Sequence, residues 1–335
     1  MATVKEIKEE LQFNRELTGL LEVMRDVAVF QFRALQRKKE RFIKFGRLLK
    51  GFFEMVDWQK TPHHFINPRT DKLGIIMITS DEGFMGGLNL KVVNASLMEP
   101  TAGVAKLIIV GERGRRYLKE MSREFVAFST GKRSAFDGKA AEDAGKYELA
   151  LELREHIIKG VKSGEFGRVI VSYPKSISFM AQKVEIVEIL PIHSLLRGRE
   201  RNPSLRGRER NPSLRGREAP EAISKQEIAS SAPAAPPRND EGRASFRNDD
   251  IIIESPPEGI IEYLVGEMML QKLLEVLEES KLSEFAARAI HLEKSSRELT
   301  EQEKHIKFQY FRVYRESIDK NTRELFSAQI IRRKR

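Results

Sequence analysis

The sequence predicts an α/β protein with a Rossmann-like central domain between two long terminal helices that form an antiparallel coiled coil. Three observations support this fold class. The 69 residues from Glu267 to Arg335 contain neither glycine nor proline, so as one helix they would extend roughly 100 Å. Residues 1–61 lack proline and place apolar residues at helical spacing. Between these segments, short apolar runs alternate with helical patterns, which is typical of a largely parallel sheet.

Composition narrows the possible chemistry without choosing a function. The chain has 335 residues, 40% hydrophobic and 32% charged, with a net charge of +10 and no cysteine. The absence of cysteine excludes disulfides, thiolate catalysis and cysteine zinc sites. The charged start, MATVKEIKEE, is unlike a secretory signal. No apolar run approaches the roughly 18 residues of a spanning helix, so we expect another subunit to attach the protein to any membrane.

The N-terminal unit, residues 1–60, predicts one shaft helix from Val4 to Asp57. Its outer face is too polar for an isolated buried helix, and its length needs a long partner. Only the C-terminal rod is long enough within this chain. The apolar positions that carry the prediction include Ile7, Leu11, Leu17, Leu21, Met24, Ala28, Phe32 and Leu35.

The central unit, residues 61–193, predicts the α/β domain. Its five predicted strands are Leu73–Ser80, Lys106–Gly111, Phe125–Ser129, Arg168–Tyr173 and Phe179–Pro191. Three helical patterns separate them, Leu88–Met98, Glu112–Met121 and Lys139–Lys162. Alternation of this kind favours helices packed on a parallel sheet.

Residues 194–250 predict a disordered, Arg-rich insert. The motif LRGRERNPS runs from Leu196 to Ser204, repeats from Leu205 to Ser213 and restarts at Leu214. A stretch rich in proline, serine and aspartate follows, and nothing here can bury a core. A solvated surface insertion is favoured over a site for nucleic acid or acidic lipid, because loop length costs little free energy.

The last unit, residues 251–335, predicts the second shaft helix. Pro256 and Pro257 favour a helix start, with Glu258 in the first turn. Leucine-rich and heptad-spaced apolar residues follow, which is typical of coiled-coil packing rather than of a ligand site.

No sequence motif points to catalysis. The phosphate loop G-x-x-x-x-G-K-[ST], H-E-x-x-H and G-x-S-x-G are all absent. Six scattered histidines predict no metal site, and we expect no cofactor. One glycine-rich turn follows the first strand and contains Asp81, Gly83, Gly86 and Gly87. It lacks the G-x-G-x-x-G pattern and its carboxylates would repel a pyrophosphate, so a tight structural turn is the better interpretation.

The same residues resemble a known family. The segment TSDEGFMGGLN, Thr79–Asn89, resembles the TSDRGLCGGLN signature of the gamma subunit of F-type ATP synthase. The segment SEFAARA, Ser283–Ala289, is similar to that family's SEQAARM, and the N-terminal helix fits the family from Lys5 onwards. The resemblance covers all of the chain except the insert.

The resemblance implies a central rotor stalk that performs no bond chemistry. It implies that the terminal helices lie inside a ring of alpha and beta subunits, with the α/β domain on the c-ring beside the epsilon subunit. Rotation of the shaft would couple ion flow in the membrane sector to catalytic sites on the beta subunits. The expected location is peripheral, on the cytoplasmic face of the cell membrane, and we expect no nucleic-acid partner.

The resemblance also implies contacts with the beta subunits at Met24, Glu284, Arg288, Arg315 and Asp319. Arg288 matches the arginine that faces the acidic lever of beta in the family, and we expect it to be exposed on the rod. Arg315 and Asp319 stand at positions where the family contacts the beta catch loops, but the family has other residues there.

Several positions depart from the family's pattern. Glu82 stands where the signature has arginine, Met85 replaces a cysteine, and the family's KITKAM segment is GLLEVM at Gly19–Met24, with both lysines lost. The tip, Arg332–Arg335, is basic where the family is apolar, so we expect it to reach solvent or acidic partners.

Two alternatives remain open from the sequence. One is a gamma-like paralogue that works in a different complex, which the substituted catch positions and basic tip would fit. The other is a nucleotide- or nucleic-acid-binding α/β protein with helical arms, which the composition permits but the missing phosphate motif argues against.

Overall fold

A computed structural model describes residues 3–37, 51, 63–100, 102–129, 138–192, 200–201 and 257–333. Five helices and six strands are described. The helices are α1 (Val4–Gln36), α2 (Leu88–Leu97), α3 (Glu112–Glu120), α4 (Gly138–Lys162) and α5 (Pro257–Arg333). The strands are β1 (Leu73–Ile78), β2 (Lys106–Val110), β3 (Val126–Phe128), β4 (Arg168–Ser178), β5 (Ala181–Leu190) and β6 (Glu200–Arg201).

The strands form one mixed sheet in the order β3-β2-β1-β4-β5-β6. The first four strands in this order are parallel, and β5 and β6 add antiparallel pairs at one edge. This confirms the predicted α/β class. Strand β6 lies in the predicted insert, so at Glu200–Arg201 the structure differs from the expected disorder because these residues pair with β5.

Both faces of β1 and β2 are buried: consecutive residues point to opposite sides of a sheet, and nearly all residues of these two strands are buried. On one face, β1 and β2 residues such as Ile75 and Ile109 pack with residues of α2 and α3. On the other face, Ile76 and Ile108 join a larger core with α4 and the first part of α5. Helix α5 is therefore part of the domain core before it becomes a shaft.

Helix α1 begins at a capping box in which the Thr3 hydroxyl accepts from the Glu6 amide and the Glu6 carboxylate accepts from the Thr3 amide. Its buried residues Ile7, Asn14, Leu21 and Ala28 recur every seven positions, which is the spacing of a coiled-coil seam. The predicted helix extended to Asp57; apart from Arg37 and Gly51, its second half lies outside the described residues.

The two shaft helices run antiparallel. Arg15 pairs with Glu303 at 2.7 Å and Arg25 pairs with Glu293 at 2.6 Å. Residues later in α1 therefore lie opposite residues earlier in α5. This register places Val4 near Tyr314, and the C-terminal part of α5 extends beyond α1. The antiparallel coiled coil predicted from the sequence is confirmed.

Candidate functional site

The segment Thr79–Asn89 joins the α/β domain to the shaft. Its first residues bind neighbouring parts of the domain: the Thr79 hydroxyl donates to the Val110 carbonyl at 2.7 Å. The Asp81 carboxylate accepts from the Glu112 amide at 2.9 Å, at the first residue of α3. Since α3 begins there, the negative charge of the Asp81 carboxylate also interacts favourably with the positive end of the helix dipole.

The polar residues that follow close the turn on itself. The Asn89 side chain accepts from the Ser80 amide at 3.1 Å and donates to the Ser80 hydroxyl oxygen at 2.8 Å. Gly86 and Gly87 have φ angles of +56° and +83°, a region that glycine enters without steric cost. These contacts support the structural interpretation of the turn, because its polar groups serve the fold.

The other side of the turn packs on helix α5. Met85 and Leu88 are buried against Ala287. A side chain at Gly86 would begin 3.2 Å from the Cδ2 atom of His291, so the backbone of the turn lies close to the rod. Gly86 and the small Ala287 together allow this close approach.

Arg288 lies at the centre of this contact, and it is 7% exposed. The expectation that Arg288 is exposed on the rod is therefore wrong. Its Nη2 atom lies 2.8 Å from Glu284 and 2.7 Å from Glu82, and its guanidinium lies 5.7 Å from the centre of the Phe285 ring. Local periodicity cannot reveal this burial, because Glu82 comes from a distant part of the chain.

Glu284 is also buried, at 3% exposure, and it pairs with Lys281 at 3.0 Å. Burial lowers the pKa of Lys281, but Glu284, with Glu82 and Asp81 farther away, more than offsets this, so its pKa is raised. The charges of this cluster are thus largely balanced within the chain.

A second contact lies one turn away on α5. Phe285, Leu282 and Ala286 form a buried cluster with Phe32 of α1. The Phe32 ring meets Phe179, in the turn between β4 and β5, edge-on at 5.1 Å between centroids. Both shaft helices and the β4–β5 hairpin therefore meet at the level where the Thr79–Asn89 segment contacts the rod.

A buried polar cluster ties the sheet to the same helix. Tyr173 of β4 donates from its hydroxyl to Glu279 of α5 at 3.0 Å, and Lys175 pairs with the buried Glu185 of β5 at 2.9 Å. Burial, followed by the nearby carboxylates, raises the pKa of Tyr173, so the hydroxyl remains a donor. This cluster is not predicted from the sequence, where its only signal is a tyrosine and a glutamate within apolar strands.

Charged pairs along the coiled coil set its register. Glu293 accepts hydrogen bonds from Arg25 and Arg297, and Glu303 pairs with Lys307 and Arg15; these contacts lower the pKa of both carboxyls. Asn14 is buried in the seam and its Oδ1 atom finds no hydrogen-bond partner among the described residues. A buried asparagine at such a position favours one register over others.

Beyond these contacts the shaft presents apolar side chains to solvent. On the outer face of α1, five large residues are 51–72% exposed: Phe13, Leu20, Val23, Val27 and Phe30. On the distal part of α5, six are 45–72% exposed: Phe308, Phe311, Tyr314, Ile318, Leu325 and Phe326. Exposed apolar surface of this extent indicates a surface that other proteins cover.

The remaining predicted contact residues lie at different depths. Arg315 and Asp319 are exposed on the distal part of α5, and Met24 is half-buried on α1. The structure thus places Arg315 and Asp319 near each other on the rod and separates them from Glu284 and Arg288 in the junction.

Neither a metal site nor a membrane span is found in the described ranges. Within them, no group of three or more His, Asp or Glu side chains is placed to hold a metal ion. None of the helices described there has the length and apolar character needed to cross a bilayer.

A family model described as ATP synthase matches residues 3–329. The ATP synthase gamma chain of Desulfitobacterium hafniense is 27% identical over 198 residues, which are 57% of this chain and 67% of the relative. The gamma chain of Nitratidesulfovibrio vulgaris (strain Miyazaki F) is 22% identical over 306 residues, 89% of this chain and 87% of the relative.

Solved structures share the fold. A chain of the rotor of the Euglena gracilis mitochondrial ATP synthase matches with a TM-score of 0.56 at 14% identity, covering 94% of this chain and 98% of that one. A chain of the Tetrahymena thermophila central stalk and c-ring matches with a TM-score of 0.51 at 15% identity, covering 83% and 99%.

Proposed function

Since the chain belongs to the ATP synthase gamma family, we propose that it is the central stalk of a rotary ATP synthase. In this role it couples ion flow through the membrane sector to conformational change at catalytic sites on the beta subunits. The stalk itself makes and breaks no covalent bond; it transmits torque.

The observation that carries this proposal is the unsupported end of helix α5. Beyond the level of Tyr314 the helix has no α1 residue opposite it, and Ile318, Leu325 and Phe326 are 45%, 67% and 62% exposed. Most of the stability of helices in proteins comes from packing of an apolar face, and exposed apolar residues favour association. A surrounding ring of alpha and beta subunits would cover this surface and hold the helix in place.

The α/β domain supplies the mounting end of the shaft. Helix α5 contributes Ile261, Val265 and Met269 to the domain core before it leaves the sheet. Torque applied to the domain therefore enters the rod through a packed core rather than through a flexible linker. We place this domain on the c-ring beside the epsilon subunit, at the cytoplasmic face of the cell membrane.

The exposed charges of the rod are its candidate contacts with beta. Arg315 and Asp319 are accessible to the catch loops, and Met24 is partly accessible on α1. Glu284 and Arg288 are covered by the chain itself, so a beta contact there requires the local ion pairs to rearrange.

Co-expression with the alpha and beta subunits of the same organism tests the proposal. We expect a complex of three alpha, three beta and one copy of this chain, and no ATP hydrolysis by the isolated chain. Failure of the wild-type chain to assemble would refute the stalk function. A chain that assembles but hydrolyses ATP when isolated would refute the non-catalytic role.

The Arg-rich insert is not required in this scheme. Deleting residues 202–250 leaves the β6 strand in place and removes only sequence that cannot form a core. We expect assembly to remain intact, as measured by co-purification. Loss of the complex would show that the insert takes part in assembly.

A further inference from the structure

The cluster around Arg288 is balanced by a carboxylate from outside the rod. Lys281 and Arg288 contribute two positive charges, and Glu284 pairs with both of them. Glu82, which comes from a distant part of the chain, supplies the second carboxylate at 2.7 Å from Arg288. Without Glu82, Lys281 and Arg288 would share Glu284, with Asp81 farther away, and the nearly buried guanidinium would lose one of its two paired carboxylates, which is unfavourable.

The two carboxylates on Arg288 differ in accessibility. The side chain of Glu284 is 5% exposed, whereas that of Glu82 is 68% exposed. The Glu82 side is therefore where solvent, or a carboxylate of another protein, can approach the guanidinium. An acid from a partner can replace Glu82 there without disturbing the buried pair with Glu284.

The backbone around Glu82 is held by other contacts. The Gly83 carbonyl faces the Arg288 Nε atom at 3.5 Å, and Asp81 binds the start of α3. A side chain at Gly83 would begin 2.8 Å from the Arg113 guanidinium. The turn thus lies between Arg113 of the domain and Arg288 of the rod, with Glu82 as its charged link to the rod.

We propose that Glu82 is a positioning residue that fixes the turn to the rod through Arg288, and that a partner's carboxylate reaches Arg288 only by displacing Glu82. The first half concerns the chain alone. The second half rests on the proposed function, because it requires a partner around the rod.

Hydrogen exchange on the isolated full-length chain tests the first half. Glu82→Gln removes the charge and should speed exchange of the amides in Gly83–Leu88 about tenfold, because a charge-assisted hydrogen bond is lost. Glu82→Asp keeps the charge and should recover part of the protection. Glu112→Gln is the matched control, since Glu112 pairs with Arg115 and Arg116 and these pairs do not involve the rod.

The exchange results decide the positioning role. Faster exchange in Glu82→Gln with partial recovery in Glu82→Asp supports it. Equal exchange in wild type and Glu82→Gln, or an equal effect of Glu112→Gln on the turn, overturns it. This measurement needs no alpha or beta subunit, so its outcome is independent of the stalk function.

Zero-length cross-linking tests the second half in the assembled complex. In Arg288→Lys, a carbodiimide joins the new amine to the carboxylates that it touches. In the isolated chain we expect links to Glu82 and to Glu284, because these carboxylates lie 2.7 Å and 2.8 Å from the Arg288 Nη2 atom. In the complex we expect a link to a carboxylate of a surrounding subunit when Glu82→Gln is added. A partner link that is equally abundant with and without Glu82, or absent in both, would refute the displacement.

Failure of the proposed function is distinguishable from failure of this inference. If the wild-type chain does not assemble, the stalk function fails, while the exchange experiment still reports on Glu82. If the complex forms and the cross-links do not depend on Glu82, the displacement fails and the stalk function stands.

Discussion

Phe32 provides a direct test of how the shaft helices pair. Its side chain is 7% exposed and packs with Leu282, Phe285 and Ala286 of α5. Its ring also meets Phe179 edge-on at 5.1 Å. Phe32→Ala removes all of these ring contacts at the point where α1 meets both the rod and the β4–β5 hairpin.

The expected cost follows from the burial of the ring. Truncating a buried phenylalanine to alanine costs about 3–5 kcal/mol, which includes the cavity left behind. We take about 3 kcal/mol, since the cluster lies at an interface near the surface. Every 1.4 kcal/mol corresponds to about a tenfold change in an equilibrium constant, so α1 should open more than a hundredfold more often.

Hydrogen exchange of the α1 amides measures this opening, and Phe30→Ala is the matched control. Phe30 has the same side chain two positions earlier on the same helix but is 72% exposed, so its truncation should change stability by no more than about 0.5 kcal/mol. Equal effects of the two substitutions would refute the claim that α1 packs on α5 through the side that carries Phe32. In the assembled complex we expect the difference between the two substitutions to become smaller. Phe30 belongs to the outer apolar face of α1, which a ring of subunits would cover, so its truncation would then also remove contacts.

Three further predictions concern the domain. Gly111→Ala should lower the free energy of unfolding by at least about 2 kcal/mol, because φ there is +95° and a Cβ would collide with the Thr79 carbonyl. Gly103→Ala, where a Cβ meets open space, is the control; similar denaturation midpoints would contradict the argument. Tyr173→Phe should lower the free energy of unfolding, measured by chemical denaturation, by about 1–3 kcal/mol, because Glu279 loses a buried hydrogen-bond donor. An unchanged denaturation midpoint would show that this hydrogen bond adds no stability. Burial lowers the pKa of His156, so as the pH falls the imidazole is protonated in the unfolded chain before it is protonated in the folded one. The free energy of unfolding should therefore decrease below about pH 6.5. Between pH 7.5 and pH 5.5 the Tm should fall less in His156→Gln than in the wild type, and equal decreases would refute this contribution.

The elements of the fold could be predicted because their signals are local. The absence of glycine and proline from Glu267 onwards predicted the rod, and the helix continues to Arg333. Apolar runs predicted strands at Leu73–Ser80 and Lys106–Gly111, and the observed strands end one or two residues earlier. Beyond those ends, the Thr79 amide donates to the Val110 carbonyl and the Gly111 amide donates to the Phe128 carbonyl. An apolar run in the sequence does not show where such pairing between strands stops.

The candidate site was only partly predictable. The sequence predicts a structural role for the glycine-rich turn from its lack of a phosphate motif and from its carboxylates, and this stays a prediction. The exposure of Arg288 was predicted wrongly, because an arginine is seldom buried unless a partner neutralises it, and that partner is not visible in the local sequence. Its cover comes from Glu82 and Gly83, which fold back onto the rod.

The sequence alone thus determined the long helices, the α/β domain between them, and the lack of a catalytic motif. These follow from residue type, spacing and helix breakers, which act over one or two turns of the chain. Only the tertiary structure decided which face of the rod is buried and that Glu82 neutralises Arg288. The physical reason is that such contacts join residues far apart in sequence, and their free energy depends on how the domain and the rod pack together.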